Sequence, residues 1–186
     1  MNIKKKYLLI FLVLLAILLS SCSNSETILQ NIKNEKSYTY SITAGSTLTL
    51  NQSITVAADR GRIFFQNGIV TTEKNLNIYY PHCSLTVNTI SNFERELSPT
   101  TFLIFKVIND EEYAQGYMLF ADSQLKTASD GPIISGLVSY YYLKSDKEPD
   151  VRTLQCIQWD SLYENRYLSI SEIRKSLGNV FTLNLK

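Results

Sequence analysis

The chain has 186 residues, of which 18 are basic and 17 acidic, so its formal net charge is +1. After the first few residues no basic stripe appears, and this excludes a typical nucleic-acid-binding protein. The length suits one domain with its own hydrophobic core behind a short N-terminal segment.

The N-terminal segment has the layout of an export signal. Three consecutive lysines, Lys4 to Lys6, precede an unbroken apolar run from Leu8 to Leu19. A membrane-spanning helix needs about 20 apolar residues. Because this run is shorter, we predict a cleaved signal peptide over residues 1–21 rather than an uncleaved anchor helix. Removing it leaves 15 basic and 17 acidic residues, a net charge of −2.

The apolar run ends in Leu19-Ser20-Ser21-Cys22, which resembles the lipobox of bacterial lipoproteins. The resemblance implies that Cys22 becomes the mature N-terminus, with a diacylglyceryl group on its sulfur and usually an acyl chain such as palmitate on its amine. Two or three acyl chains anchor a protein to a membrane, whereas one alone binds marginally. Lipoproteins retained in the inner membrane resemble one another in carrying Asp where this chain has Ser23, which indicates an outer-membrane protein facing the periplasm. An ordinary secretory signal is the alternative.

Residues 22–37 are polar and lack strand alternation, which predicts a tether. Their few apolar side chains leave a short helix as the alternative. Residues 38–186 form the predicted single β-rich domain.

Alternation with period two dominates the first part of this domain and predicts half-buried antiparallel strands. One such strand is predicted to carry its apolar residues on a single face. These are Leu48, Leu50, Ile54 and Val56. Ala44-Gly45 and Asn67-Gly68 are predicted hairpin turns, the second being the stronger signal.

Further strands are predicted along the rest of the chain. Residues 76–87 read as two strand segments joined by a kink at Pro81, because proline cannot donate a ladder hydrogen bond. The run 101–108 is apolar on both faces and predicts a central strand. Other strands are predicted over 116–121, 136–145 and 151–159, with turns at Asp130–Pro132 and Asp146–Asp150.

The C-terminal segment changes to helical spacing. Ser169 and Glu172 form a predicted capping box, and Gly178 stands at a helix C-cap position. A one-sided apolar stripe would pack this two-turn helix onto the sheet. Its members are Ile170, Ile173 and Leu177. A last strand follows over 180–185. The predicted fold class is therefore all-β, a mainly antiparallel sandwich or small barrel with one short C-terminal α-helix.

Two further cysteines, Cys83 and Cys156, lie far apart and lack metal-site spacing. In an exported protein a structural disulfide is the favoured interpretation. Metal binding by Cys83 with His82 is the alternative, although neighbouring residues on a strand point to opposite faces.

Catalytic chemistry is not indicated. His82 is the only histidine, and no nucleophile motif accompanies it. The acidic cluster Asp110 to Glu112 reads as a solvated turn between strands. We predict that the protein is not an enzyme and has no catalytic residues, no metal site and no cofactor.

Binding is the remaining hypothesis. Strand tyrosines Tyr140 and Tyr142, together with Trp159, are candidates for stacking against a partner protein or lining a groove for a small ligand or glycan. Arg60 and Arg62 could bind an anion, since guanidinium groups suit phosphate and carboxylate. The alternatives are cross-strand packing for the aromatic residues and a solvated hairpin tip for the arginines.

Four blocks of the sequence carry a second resemblance. They are RIFFQNG, YYPHCSLTV, PDVRTLQCIQW and YLSISEIRKSLGNVFTL. In this order they resemble an uncharacterised group of envelope lipoproteins from Gram-negative, gamma-class bacteria. The resemblance implies an envelope location and pairing of Cys83 with Cys156, and it names no reaction. The predicted function is that of a lipid-anchored structural or protein-interaction module, with an envelope protein as partner.

Overall fold

The computed structural model describes residues 34–114, 134–161 and 163–186. Its strands are β1 Thr47–Leu50, β2 Ile54–Val56, β3 Arg62–Gln66, β4 Ile69–Thr71, β5 His82–Val87, β6 Arg95–Leu97, β7 Thr100–Ala114, β8 Ile134–Lys144, β9 Val151–Ile157, β10 Asp160–Ser161 and β11 Phe181–Asn184. The α-helix is α1, Ile170–Leu177, and short 3₁₀ turns cover Glu73–Asn75 and Gly178–Val180.

The strands form one large antiparallel sheet that curls into a half-barrel. Its strand order is β11-β1-β7-β8-β9-β5-β3-β4, and β10 pairs with β8. β2 and β6 form a separate two-stranded sheet. The predicted all-β, mainly antiparallel fold with one short C-terminal helix is confirmed.

The inner face of the half-barrel holds the hydrophobic core. α1 packs against β3, β5 and β11 through the predicted stripe, all of which is buried. The ring of Phe65 on β3 meets the edge of Phe181 on β11, with centroids 5.3 Å apart. Strands near the two ends of the sheet therefore touch across the core, beside the helix.

The helix begins and ends as predicted. Ser169 Oγ accepts a hydrogen bond from the Glu172 N–H, and Glu172 accepts one from the Ser169 N–H, which completes the capping box. Gly178 is the C-cap with φ of 55°, in the region that favours glycine.

The Asn67-Gly68 hairpin is also confirmed. Asn67 and Gly68 both have positive φ, 53° and 83°, as a two-residue type I′ turn requires, and they join β3 to β4. Ala44-Gly45 forms a turn, but the residues before it are not a strand.

Other boundaries differ from the prediction. The strand predicted to hold Leu48 through Val56 is two strands, β1 and β2, in different sheets. Residues 76–81 are irregular, so the strand begins at His82. There, Gln66 Nε2 donates to the Asn77 carbonyl at 2.8 Å and Gln66 Oε1 accepts from the Asn77 N–H at 3.1 Å, so a side chain takes the place of a ladder partner.

The acidic cluster was predicted as a turn, which is wrong. Asp110 to Glu112 lie inside β7, where Asp110 faces Val138 and Glu112 faces Gly136 across the ladder with β8. β7 is central as predicted, but Leu103 remains 44% exposed on the outer face.

Arg60 and Arg62 do not flank a hairpin tip, because β2 pairs with β6 while β3 pairs with β4 and β5.

The predicted strand over 116–121, the turn Asp130–Pro132 and residues 1–33 lie outside the described residues. Within the described ranges, no helix is long and apolar enough to span a membrane.

Candidate functional site

The two faces of the half-barrel carry different chemistry. On the inner face, Cys83 and Cys156 are ladder partners in β5 and β9, both buried, and they form a disulfide with Cα atoms 4.1 Å apart. The predicted pairing is confirmed. Because both sulfurs are used, Cys83 is not available as a metal ligand, and the described residues contain no cluster of three His, Cys, Asp or Glu side chains able to hold a metal.

On the outer face, strand register brings polar and aromatic side chains of β3, β7, β8 and β9 together. Tyr140 faces Gln155 of β9, and Tyr142 lies across from Lys106 of β7. We use the name outer-face patch for a set of five residues, two of which are tyrosines predicted from the sequence. They are Arg62, Glu112, Tyr140, Tyr142 and Gln155.

Glu112 is the centre of this patch. The Tyr140 hydroxyl donates to Glu112 Oε1, and Gln155 Nε2 donates to the same oxygen at 3.1 Å. Burial is the main cause that raises the pKa of Tyr140 to about 12, and the bond to Glu112 with the charges of Glu112 and Asp110 adds to it, while Arg62 opposes it. The Tyr140 hydroxyl therefore stays protonated and acts as a donor at neutral pH.

Tyr142 carries a more apolar surface beside this polar centre. Lys106 Nζ lies 5.3 Å from the centroid of its ring, and the ring of Phe105 meets it at 6.2 Å with an angle of 62° between planes. Phe105 stands at the bulge of β7 and is 52% exposed. Together with Leu103, these rings form an apolar stripe next to hydrogen-bonding groups.

The floor of the patch is polar as well. Ser84, Thr153 and Gln155 are on the outer face, yet all three are buried. Their register partners are aromatic in two cases, with Gln155 beside Tyr140 and Thr153 beside Tyr142. Because these polar groups are buried beneath the aromatic side chains, a partner must match their hydrogen-bonding pattern as well as the apolar surface.

A groove of about 720 Å³ borders the patch. Arg60 and Arg62 line it together with Phe64 and Val70. The guanidinium of Arg60 lies 3.9 Å from the carboxylate of Glu73, and both side chains are largely exposed. This is an ion pair of small energetic value, so Arg60 can exchange it for an anionic ligand.

Two other sequence candidates lie elsewhere. His82 is buried, its Nδ1 bonds the Tyr80 carbonyl at 2.9 Å, and burial lowers its pKa. Trp159 is half-buried beyond the end of β9, where its backbone N–H donates to the carbonyl of Ile78. Trp159 lies four positions after Gln155, about 13 Å along an extended chain, so it is not part of the patch.

A second concave feature lies on the inner face of the half-barrel. It is a cavity of about 140 Å³ between β8, α1 and the segment 38–42. We call it the mouth cavity. Tyr141 is buried and lies in the wall of this cavity.

No protein-family model, curated protein or solved structure matches this chain. The chemistry of the two sites therefore follows from their own residues. The outer-face patch offers a carboxylate, an amide, two phenols and a guanidinium, a set suited to recognition. The mouth cavity offers neutral groups in a partly enclosed space.

Sequence reasoning found Tyr140, Tyr142 and Arg62 but missed Glu112 and Gln155. The signal for Gln155 was available, since Thr153 and Gln155 alternate with Leu154 and Cys156 in the sequence of β9, which places Gln155 on the face opposite to the cysteine. Glu112 was missed because three consecutive acidic residues resemble a turn, and only pairing with β8 places them in a strand.

Proposed function

We propose that this chain is a lipid-anchored protein of the bacterial cell envelope whose β domain binds another envelope protein through the outer-face patch. The supporting observation is the continuous aromatic surface on the central strands. The ring of Phe105 meets that of Tyr142, and Tyr140 follows on the same face of β8, hydrogen-bonded to the Glu112 carboxylate and near the Arg62 guanidinium.

The composition of this surface supports a protein partner. Interface cores are enriched in tyrosine, phenylalanine and arginine, and hot spots cluster around such side chains. Leu103 and Phe105 are 44% and 52% exposed, so burying them would contribute favourable apolar contact.

The shape and charge of the patch argue against two other occupants. The open face of a sheet does not enclose most of a small molecule, as drug-sized ligand sites do. Asp110 and Glu112 stand on the outer face at one end of the same strand pair, and their charges would repel anionic lipid headgroups.

Site-specific photocrosslinking in living cells tests the proposal. A photoreactive phenylalanine at position 105 or 142 should give a crosslinked band of one defined mass. The same group in place of Tyr163, which is 98% exposed in a turn beyond β10, is the control and should give none. Absence of a band at 105 and 142, or an equal band at 163, would refute the outer-face patch as the contact.

The interaction should also depend on the hydrogen bonds of the patch. Glu112→Gln removes the negative acceptor of Tyr140 and Gln155 while keeping the side-chain shape. We expect at least a fivefold weaker crosslink from position 105 at equal protein level. Glu96→Gln on β6, an exposed acid in the separate sheet, is the matched control and should leave the band unchanged.

The anchor is a separate part of the proposal. Processing at Cys22 predicts a mature chain that begins at this residue and has the added mass of two or three acyl chains. Cys22→Ala should leave residues 1–21 attached and prevent acylation. Intact-protein mass spectrometry from membranes distinguishes the two forms. An unacylated mature wild-type chain would contradict the lipoprotein proposal.

Binding of an anionic small ligand or glycan is a second proposal, supported by the groove along Arg60 and Arg62. Titration with anionic cell-wall fragments, followed by backbone amide NMR shifts, should move resonances of residues 59–74. Arg60→Gln should weaken this binding, and Arg152→Gln, an exposed arginine on β9, should not. No saturable shift would exclude this proposal without affecting the protein-partner proposal.

A further inference from the structure

The mouth cavity is a second site that the outer-face patch does not use. Its sheet side is made by Asn109, Ser139 and Tyr141, and its helix side by Ile170 and Ile173. The remaining wall is made by residues 38–42 together with Tyr167 and Leu168. We call the segment 34–42, which contains residues 38–42, the strap. The cavity thus lies on the inner face of the sheet, opposite to the outer-face patch.

The strap is held in place by contacts to the helix region. Arg174 makes two hydrogen bonds to the Glu35 carboxylate, at 2.8 and 3.0 Å, and the Ser171 N–H donates to the Glu35 carbonyl at 2.9 Å. Arg166 stacks over the ring of Tyr38 at 4.1 Å and is itself paired with Glu172. These partly exposed contacts fix the outer wall of the cavity.

The lining is neutral and rich in phenol groups. None of the described residues that line the cavity carries a charge, and four of them are tyrosines: Tyr38, Tyr40, Tyr141 and Tyr167. The cavity therefore favours neutral ligands, because no charged side chain in the wall would replace the hydration of a charged one. Aromatic walls favour a flat ring, which can pack edge-to-face or offset-stacked against them.

The polar groups are concentrated on the sheet side. The Ser139 hydroxyl donates to Asn109 Oδ1 at 3.0 Å, so the Ser139 oxygen is left as an acceptor. Tyr141 is 3% exposed and lies on the same strand face two residues away. A ligand hydroxyl at this wall could donate to one oxygen and accept from the other.

The size of the cavity sets the size of the ligand. Its volume of about 140 Å³ is close to that of an engineered cavity of about 150 Å³ that binds benzene. We infer that the mouth cavity binds a neutral, single-ring molecule carrying a hydroxyl group, held by aromatic packing against the tyrosines and by hydrogen bonds at Tyr141 and Ser139.

Phenol is the probe that tests this inference. Titration of the full-length chain in detergent micelles, followed by NMR shifts of backbone amides, should show saturable binding with a Kd at or below about 1 mM. Shifts should be confined to 38–42, 139–141 and 167–173. Benzene should bind at least about tenfold more weakly, because it lacks the hydroxyl that makes both hydrogen bonds.

Tyr141→Phe keeps the ring and removes the phenol oxygen. It should weaken phenol binding by about tenfold, the effect of one lost hydrogen bond in a buried site, and leave benzene binding unchanged. Tyr142→Phe, the next residue on the opposite face of β8, is the matched control and should bind phenol as the wild type does.

Three results would overturn the inference. A cavity that holds only water would show no saturable shift with up to 10 mM phenol, on the order of ten times the expected Kd. A purely apolar void would bind benzene as tightly as phenol. Equal weakening by Tyr141→Phe and Tyr142→Phe would place the binding outside the mouth cavity.

Discussion

At the scale of single residues, His82 has a structural environment: it is packed inside the domain and its ring makes a hydrogen bond to the backbone. It is buried on β5, and its Nδ1–H donates to the Tyr80 carbonyl. Desolvation lowers its pKa from the ordinary value of 6.5, against the opposing effect of that bond. The folded state therefore prefers the neutral imidazole.

This shift has a consequence for stability against pH. The unfolded chain takes up a proton near pH 6.5, whereas the folded chain does so only at lower pH. The stabilising contribution is complete above pH 6.5 and is lost as the pH falls through the pKa of the folded state. The imidazole Cε1–H resonance, which is unambiguous because the chain has one histidine, should titrate with a midpoint below 6.5.

His82→Gln is the matched variant. Its free energy of unfolding should depend less on pH than that of the wild type between pH 6.5 and the midpoint measured by NMR. A midpoint at or above 6.5 would contradict the burial argument.

For Tyr140 the folded state raises the pKa instead of lowering it, so its contribution to stability is lost at high pH. Its pKa is raised to about 12, mainly by burial and then by Glu112. Because the unfolded pKa is about 10, the stabilising contribution is complete below pH 10 and declines as the pH approaches 12. Urea unfolding at pH 9 and pH 11 should show a steeper loss of stability for the wild type than for Tyr140→Phe. Identical slopes would show that the Tyr140 hydroxyl is solvated.

At the scale of elements, local rules predicted what is locally determined. The Asn67-Gly68 hairpin, the Ser169–Glu172 capping box and the Gly178 C-cap depend on residues adjacent in sequence, and all three were predicted. The register of β7 was not, because Asp110 to Glu112 enter a strand only through pairing with β8 and the bonds that Glu112 accepts. Tertiary contacts outweighed a local turn preference there.

The turn and the helix end also constrain each other. A Cβ on Gly178 would lie 2.3 Å from the Gly68 Cα, and Gly178 itself has φ of 55°. Gly178→Ala should therefore add left-handed backbone strain and a backbone clash, lowering the free energy of unfolding by at least about 2 kcal/mol. Chemical denaturation measures the loss.

Gly61→Ala is the control for this prediction. A Cβ there meets Cγ1 of the exposed Ile90 side chain at 3.2 Å, so a small side-chain movement should accommodate it. An equal loss of stability in the two alanine variants would mean that the contact between the β3–β4 turn and the helix end is not what Gly178 preserves.

At the scale of the whole molecule, strand order was the feature beyond sequence reasoning. Period-two patterns predict strands and their buried faces, but strand order depends on pairings between segments far apart in the chain. β1 lies between β11 and β7, and no local signal specifies such neighbours. The outer-face patch could not be predicted as a whole for the same reason, since β3, β7, β8 and β9 come together only in the curled sheet.

The disulfide is the one long-range pairing that the cysteine count did predict. Cys83 and Cys156 are separated by 73 residues, and cross-linking them restricts the unfolded chain. The loop-closure estimate for this length is about 4 kcal/mol. Adding dithiothreitol should therefore lower the free energy of unfolding by about that amount, measured by urea denaturation of the oxidised and reduced protein. The double variant Cys83→Ala/Cys156→Ala should show no response to dithiothreitol. Equal urea midpoints for the two wild-type forms would mean that the β5–β9 pairing holds the half-barrel together without its covalent link.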